Sequence, residues 1–181
     1  MFKIKLILPF IIVLIVTGCS AIPVDRYHVL ADNQLKIKAL KQKFNVGRFT
    51  TTKTDFEIQC RLANHIEMTD GKSFEGYIQN ALEEELKMAS MYSEDSKIII
   101  EGHLNDIDVS SNPNDAHWTL NLTISNLDGQ NFTIVHKREY KASFAGHIAC
   151  GIDMPRSFTS TIQELIGKII NHPEFNRIFS E

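Results

Sequence analysis

HWTLNLTISNLDGQNFTIVHKRE, residues 117–139, decides the fold. Trp118, Leu120, Leu122 and Ile124 alternate with Thr119, Asn121, Thr123 and Ser125. Successive side chains of a strand point to opposite faces, so this segment is a strand with one core face and one wet face. Asp128-Gly129 then reverses the chain. A two-residue turn there would set Leu122 opposite Val135 and Phe132 opposite Ser125. A three-residue loop, Leu127 to Gly129, instead pairs Ile124 with Phe132 and Leu122 with Ile134. Paired side chains share a face, so the three-residue loop is predicted, with Gly129 left-handed. The same register sets Arg138 opposite Trp118.

Upstream, KIIIEGHLNDIDV (97–109) reads as another strand. Ile98, Ile100 and Leu104 share one parity, whereas Ile107 and Val109 take the other, which predicts a bulge near Asn105. Further upstream, Ser73 suits a helix cap and Glu75 the positive helix start. Phe74, Ile78, Ala81, Leu82, Leu86 and Ala89 recur at helical spacing, so a helix runs to near Tyr92. Glu83, Glu84 and Lys87 fall on its wet face, with Glu83 and Lys87 spaced for an i,i+4 pair. Downstream, Asp153 and Pro155 open a second helix with Phe158, Ile162, Leu165, Ile166, Ile169 and Ile170 on its apolar face. Pro173 ends it, and Phe175, Ile178 and Phe179 fold back as a terminal cap. Residues 35–52 read as a strand, 55–60 as an extension of the sheet or a short strand, and 64–72 as a loop. The order is β-α-β-β-β-α. The predicted fold is α+β: a two-layer sandwich, an antiparallel sheet of about four strands with two helices on one face.

The chain starts differently. Lys3 and Lys5 precede an apolar run from Leu6 to Val16 that is too short to span a bilayer comfortably. Val16-Thr17-Gly18-Cys19 resembles a bacterial lipobox. That resemblance implies a signal peptide over 1–18, removed before Cys19, and acyl chains such as palmitate on Cys19. Ser20 stands where an Asp would act as a retention signal, so the implied location is the inner leaflet of the outer membrane, facing the periplasm. Two or more acyl chains anchor a polypeptide stably. The expected organisation is 1–18 signal, 19–34 lipidated cysteine and tether, and 35–181 a single domain.

Formal net charge is −3, and about −5 once Lys3 and Lys5 leave with the signal. No basic block exists, which argues against a nucleic-acid partner. Cys19 takes lipid, so Cys60 and Cys150 remain. An even remainder in an oxidising compartment predicts one disulfide between them.

Cys60-Arg61, Phe74-x-x-Tyr77-Ile78, Ala81-Leu82-x-x-Glu85-Leu86, Gly102-x-Leu104, Ile107-Asp108-Val109-Ser110-Ser111 and Trp118-x-Leu120 resemble a group of uncharacterised proteobacterial envelope lipoproteins. Ala149-Cys150 and His172-Pro173-x-Phe175 extend the resemblance. Val109 departs from it, since that group often has an aromatic nearby. A lipid-tethered sheet with two helices is also similar to the lipopolysaccharide-assembly lipoprotein and to auxiliary lipoproteins of ABC transporters.

Seven histidines occur, but without His-x-x-x-His or Cys-x-x-Cys spacing, so no metal site and no cofactor is expected. Asp106 and Asp108 read as a solvated strand end. His147 lies three residues before Cys150, yet a disulfide accounts for both cysteines, and no catalytic residue is assigned. Trp118 and Arg138 read as a core indole under a snorkelling arginine, with a protein or ligand contact patch as the alternative. The expected function is non-enzymatic: a lipid-anchored accessory or protein-binding component of the envelope, with an apolar-ligand carrier as the competing reading. Its expected partners are the membrane, through Cys19, and an envelope protein.

Overall fold

The computed structural model describes residues 22–53, 58–61 and 64–179. The signal, Cys19 and residues 55–57 of the expected sheet extension lie outside the described residues. Strands β6 (His117–Ser125) and β7 (Asn131–Glu139) pair antiparallel, with Ile124 opposite Phe132, Leu122 opposite Ile134 and Trp118 opposite Arg138. This is the register that side-chain parity selects. Asn126 N–H donates to the Gln130 carbonyl at 3.0 Å, closing Leu127–Gly129 as the loop. Gly129 sits at φ 80°, where a Cβ is strained.

β5 (Ile99–Ser110) pairs antiparallel with β6, and its register shifts between Leu104 and Asp106. The bulge returns Ile107 to the core face. Asn105 turns its amide across the sheet to the side chains of Asn121 and Thr123, both at 2.9 Å.

β2 (Asn45–Thr51) completes the sheet in the order β2-β5-β6-β7, and it runs parallel to β5. The expectation of an all-antiparallel sheet is therefore corrected to a mixed one. The chain leaves β2, forms β3 (Gln59–Cys60) and β4 (Asn64–Met68), and crosses a face through α2 (Phe74–Met88) before entering β5. Such a long helical crossover is what delivers a strand parallel to its neighbour. Gly102 of β5 lies under the Phe49 ring of β2, where a Cβ would stand 2.3 Å from the ring.

Both α2 and α4 (Met154–Ile170) cover the same face. Ser73 accepts from Gly76 N–H at the start of α2, as its cap position requires. Phe158 of α4 meets Trp118 at 4.8 Å, Phe74 at 5.5 Å and Tyr77 at 5.3 Å between ring centroids. These rings and the fully buried Leu82, Leu104, Leu120 and Leu122 fill the layer between sheet and helices. α5 (Pro173–Phe179) caps the hairpin end, with Phe175 on Phe44 and His172 stacked on Phe132.

The largest departure from expectation concerns residues 22–52. The alternating LKIK segment is not a strand. It belongs to α1 (Ala31–Ala39), which buries only Asn33 and Ile37, one turn apart, and leaves Leu35 71% exposed. The segment expected as a tether is also structured from Ile22. β1 (Ile22–Val24) runs parallel to β4, which pairs antiparallel with β3 in a second, three-stranded sheet. Residues 64–68, expected as a loop, supply its central strand. Val24 is fully buried, so the packed domain extends to the first described residues.

Candidate functional site

The apolar stripe of α2 carries one carboxylate. Ile78, Ala81, Leu82, Glu85 and Leu86 fall at helical spacing on one face, and all are buried. Glu85 therefore places a carboxylate in the core. Its Oε1 accepts the Tyr27 hydroxyl at 2.6 Å, the Leu30 backbone N–H at 2.9 Å and the Asn33 amide at 3.2 Å. Its Oε2 accepts the Gln34 amide. All four donors come from residues 27–34, and none of the ion pairs among the described residues involves Glu85.

The arrangement has a local cause. α1 starts after Leu30, which has no side chain able to cap it. Unpaired N–H groups and the positive end of the helix are left at that point. Glu85 supplies the missing acceptor and the matching charge from another helix. Burial, then the bond to Glu85, pushes the Tyr27 phenol well above its ordinary value.

Further bonds tie the same segment along its length. The Thr69 hydroxyl donates to the Val24 carbonyl. The Tyr77 hydroxyl donates to the Asp25 carbonyl at 3.0 Å and lies 3.2 Å from the Thr159 hydroxyl. Burial raises the Tyr77 phenol to about 12. The Gln163 amide donates to the His28 carbonyl at 2.8 Å, and Asn33 donates to the Gln163 carbonyl at 2.9 Å. Residues 24–34 thus descend the outside of α2 and α4 in step with α4, from Thr159 towards Gln163.

Cys60 and Cys150 are joined, with Cα atoms 5.5 Å apart. The bridge connects the small sheet to a helical segment ahead of α4, made of α3 (Gly146–Ile148) and a π-helical turn (Ala149–Asp153). Arg61 reinforces it: the guanidinium donates to the carbonyls of Ser143 and Phe144, the latter at 2.7 Å. The Asp153 carboxylate accepts the Ser143 N–H at 2.8 Å.

Trp118 and Arg138 sit together as the register requires, but they make no contact patch. Trp118 has no exposed surface. Its indole N–H donates to the Ser157 hydroxyl at 2.9 Å, and aromatic rings cover its faces. Arg138 lies at the edge of the layer and pairs with Glu164 at 2.8 Å. The indole is core because the whole start of α4 packs on it.

The histidines are dispersed. His103 lies between the hydroxyls of Thr50 and Thr52, at 2.7 and 2.9 Å. His117 is held by Asp108 at 3.0 Å and by the Asp115 carbonyl at 2.9 Å. Burial opposes its charge, but those two bonds outweigh burial and raise its pKa. His136 is buried beneath Glu164 and Lys168. Burial, then Lys168, lowers its pKa against the pull of Glu164. Asp106 pairs with Lys53 at 3.0 Å, away from Asp108. Among the described residues no group of three metal-ligating side chains gathers, and no helix is long and apolar enough to cross a membrane.

Helical spacing sets Glu83 and Glu84 on the wet face of α2, whereas Glu85, to which the sequence pattern assigns no role, falls three residues after Leu82 and seven after Ile78, inside the apolar stripe, and that spacing is its signal.

No protein-family model matches the chain, and no curated protein matches it. Among solved structures the chain is similar to protein XCC0632 from Xanthomonas campestris, of family DUF330. The two share 11% identity and a TM-score of 0.46, over 71% of this chain and 84% of that one.

Proposed function

We propose that this chain is a non-enzymatic lipoprotein of the bacterial outer membrane, anchored through Cys19 and facing the periplasm, that serves as an accessory or protein-binding component of the envelope. The observation that carries the reading is the docked segment 22–34. It follows the lipobox directly and is bonded to the domain through Glu85, Tyr77 and Gln163. Its function, on this reading, is to fix a compact domain against its anchor. The buried polar groups support this, because Glu85, Asn33 and Tyr27 are committed to one another. Cys60 and Cys150 are committed likewise, which takes the Cys150–His147 pair out of nucleophilic chemistry. The residues between sheet and helices pack ring against ring, which favours this reading over a carrier of an apolar ligand.

The test is metabolic labelling with a clickable fatty acid in cells making the full chain or Cys19→Ser. The proposal expects lipid label and processing in the first, unprocessed and unlabelled precursor in the second, and outer-membrane density on a sucrose gradient for the labelled form. Normal maturation of Cys19→Ser would remove the reading. Purification in mild detergent then separates the alternatives: a stoichiometric protein supports the accessory function, and a stoichiometric lipid supports the carrier.

A further inference from the structure

The segment before α4 is amphipathic in the wrong direction for a core element. Ala149 and Cys150 are buried against the disulfide, whereas Ile148 and Ile152, one turn apart, are 36% and 45% exposed. Phe144, on the bend leading in, is 85% exposed. Three large apolar side chains close in sequence thus face outward on one rigid platform, held by the disulfide, by Arg61 and by Asp153. Lys141, His147 and Arg156 are exposed around them. Clustered apolar residues on a rigid segment mark an interaction surface.

Two features of the fold say what covers it. The first is where the chain enters. Residues 25–33 run along α4 in step with Thr159 to Gln163, so going back from Asp25 to Ile22 leads towards the start of α4, the end that carries the platform. The small sheet agrees. Ile22 stands level with Ile66, two residues from Asn64, which pairs with Cys60, the partner of Cys150. Cys19 precedes Ile22 by three residues, a reach of at most about 11 Å. The second feature is charge. The chain as a whole is acidic, yet the exposed ionisable residues closest in sequence to the three apolar side chains are basic or histidine. That suits anionic headgroups.

We infer that Phe144, Ile148 and Ile152 form a second membrane contact, inserting into the headgroup boundary of the bilayer that holds the acyl chains of Cys19. The inference rests on the lipid-anchor reading. It adds that the domain lies on the membrane in one orientation, with the hairpin tip at Leu127 pointing away.

Tryptophan quenching tests it on the full acylated chain, reconstituted in phosphatidylethanolamine–phosphatidylglycerol vesicles with or without brominated acyl chains. Trp118 is fully buried and gives a constant background. Phe144→Trp and Ile152→Trp replace exposed side chains, and Leu127→Trp, also on an exposed site, reports the opposite end of the sheet. Flotation with the vesicles is read first. The expected result is flotation of all variants, with the emission added by Phe144→Trp and Ile152→Trp blue-shifted and lost in brominated vesicles, and that of Leu127→Trp retained. Flotation with no loss, or with equal loss at Leu127→Trp, overturns the membrane contact and leaves the anchor intact; a protein partner is then what covers the patch. Failure to float overturns the anchor reading itself, and the contact with it.

Discussion

Glu85→Leu keeps the bulk of a side chain at the centre of the α2 stripe and removes every acceptor from it. The Tyr27 hydroxyl then loses its hydrogen-bond partner in a buried position. The Leu30 N–H loses the cap of α1, and half-buried Leu30 recovers part of that from water. Asn33 keeps the Gln163 carbonyl, and Gln34 keeps the Glu85 backbone carbonyl. One orphaned buried hydroxyl costs roughly 1–3 kcal/mol, and one lost cap adds about 1 kcal/mol. Relief from burying a carboxylate offsets part of this. A net loss of about 2 kcal/mol follows, concentrated in residues 24–39. Urea denaturation gives the total, and hydrogen exchange of α1 amides gives the location. The expected result is a lowered midpoint with α1 exchanging at far smaller opening free energy than β6. Tyr27→Phe combined with Glu85→Leu should be more stable than Glu85→Leu alone, because the buried hydroxyl that Glu85→Leu orphans is then gone as well. An unchanged midpoint with α1 still protected would refute the assignment of Glu85 as the group that docks the segment.

Separating Cys60 from Cys150 by Cys150→Ser should lower stability by about 2–4 kcal/mol in denaturant, since the bridge closes a span of 90 residues; a midpoint equal to that of the oxidised parent would show that packing alone holds the platform. Gly102→Ala should cost roughly 1–3 kcal/mol by driving a Cβ into the Phe49 ring, and Phe49→Leu in the same chain should recover part of the loss on thermal unfolding. The two buried histidines should act on pH in opposite senses. His117 is held above its ordinary 6.5, so its contribution is complete below about pH 6.5 and fades as pH rises through the raised value. Relative to the parent, His117→Gln should therefore lose most stability in acid. His136 is held below 6.5, so the parent weakens as pH falls through 6.5 towards the lowered value, and His136→Gln should flatten that acid limb in a pH series of urea melts.

What the sequence makes legible is periodicity, and what it hides is direction and polar docking. The β6–β7 hairpin is legible because strict alternation leaves one register in which apolar side chains face one another. The bulge at Asn105 is legible for the same reason, since a parity change inside a strand has few other causes. The direction of β2 is not, because a strand reads the same parallel or antiparallel. Its direction depends on the crossover through β3, β4 and α2, whose small sheet is too short to announce itself. The disulfide followed from counting, without geometry.

Residues 22–39 hide for a different reason. They are held by a few apolar side chains, chiefly Val24 and Ile37, and otherwise by hydrogen bonds. Apolar docking tolerates sliding, whereas a carboxylate in the core accepts one arrangement of donors. A slip of one residue along this segment would leave Glu85 a buried charge without its donors, at a cost of several kcal/mol. The polar network therefore sets position more than it adds stability. On the proposed anchor that is the useful property: the two residues between Cys19 and Ile22 allow little reach, and the segment after them has one register. Distance and orientation between membrane and domain are then fixed by the same bonds that make this stretch of sequence hard to read.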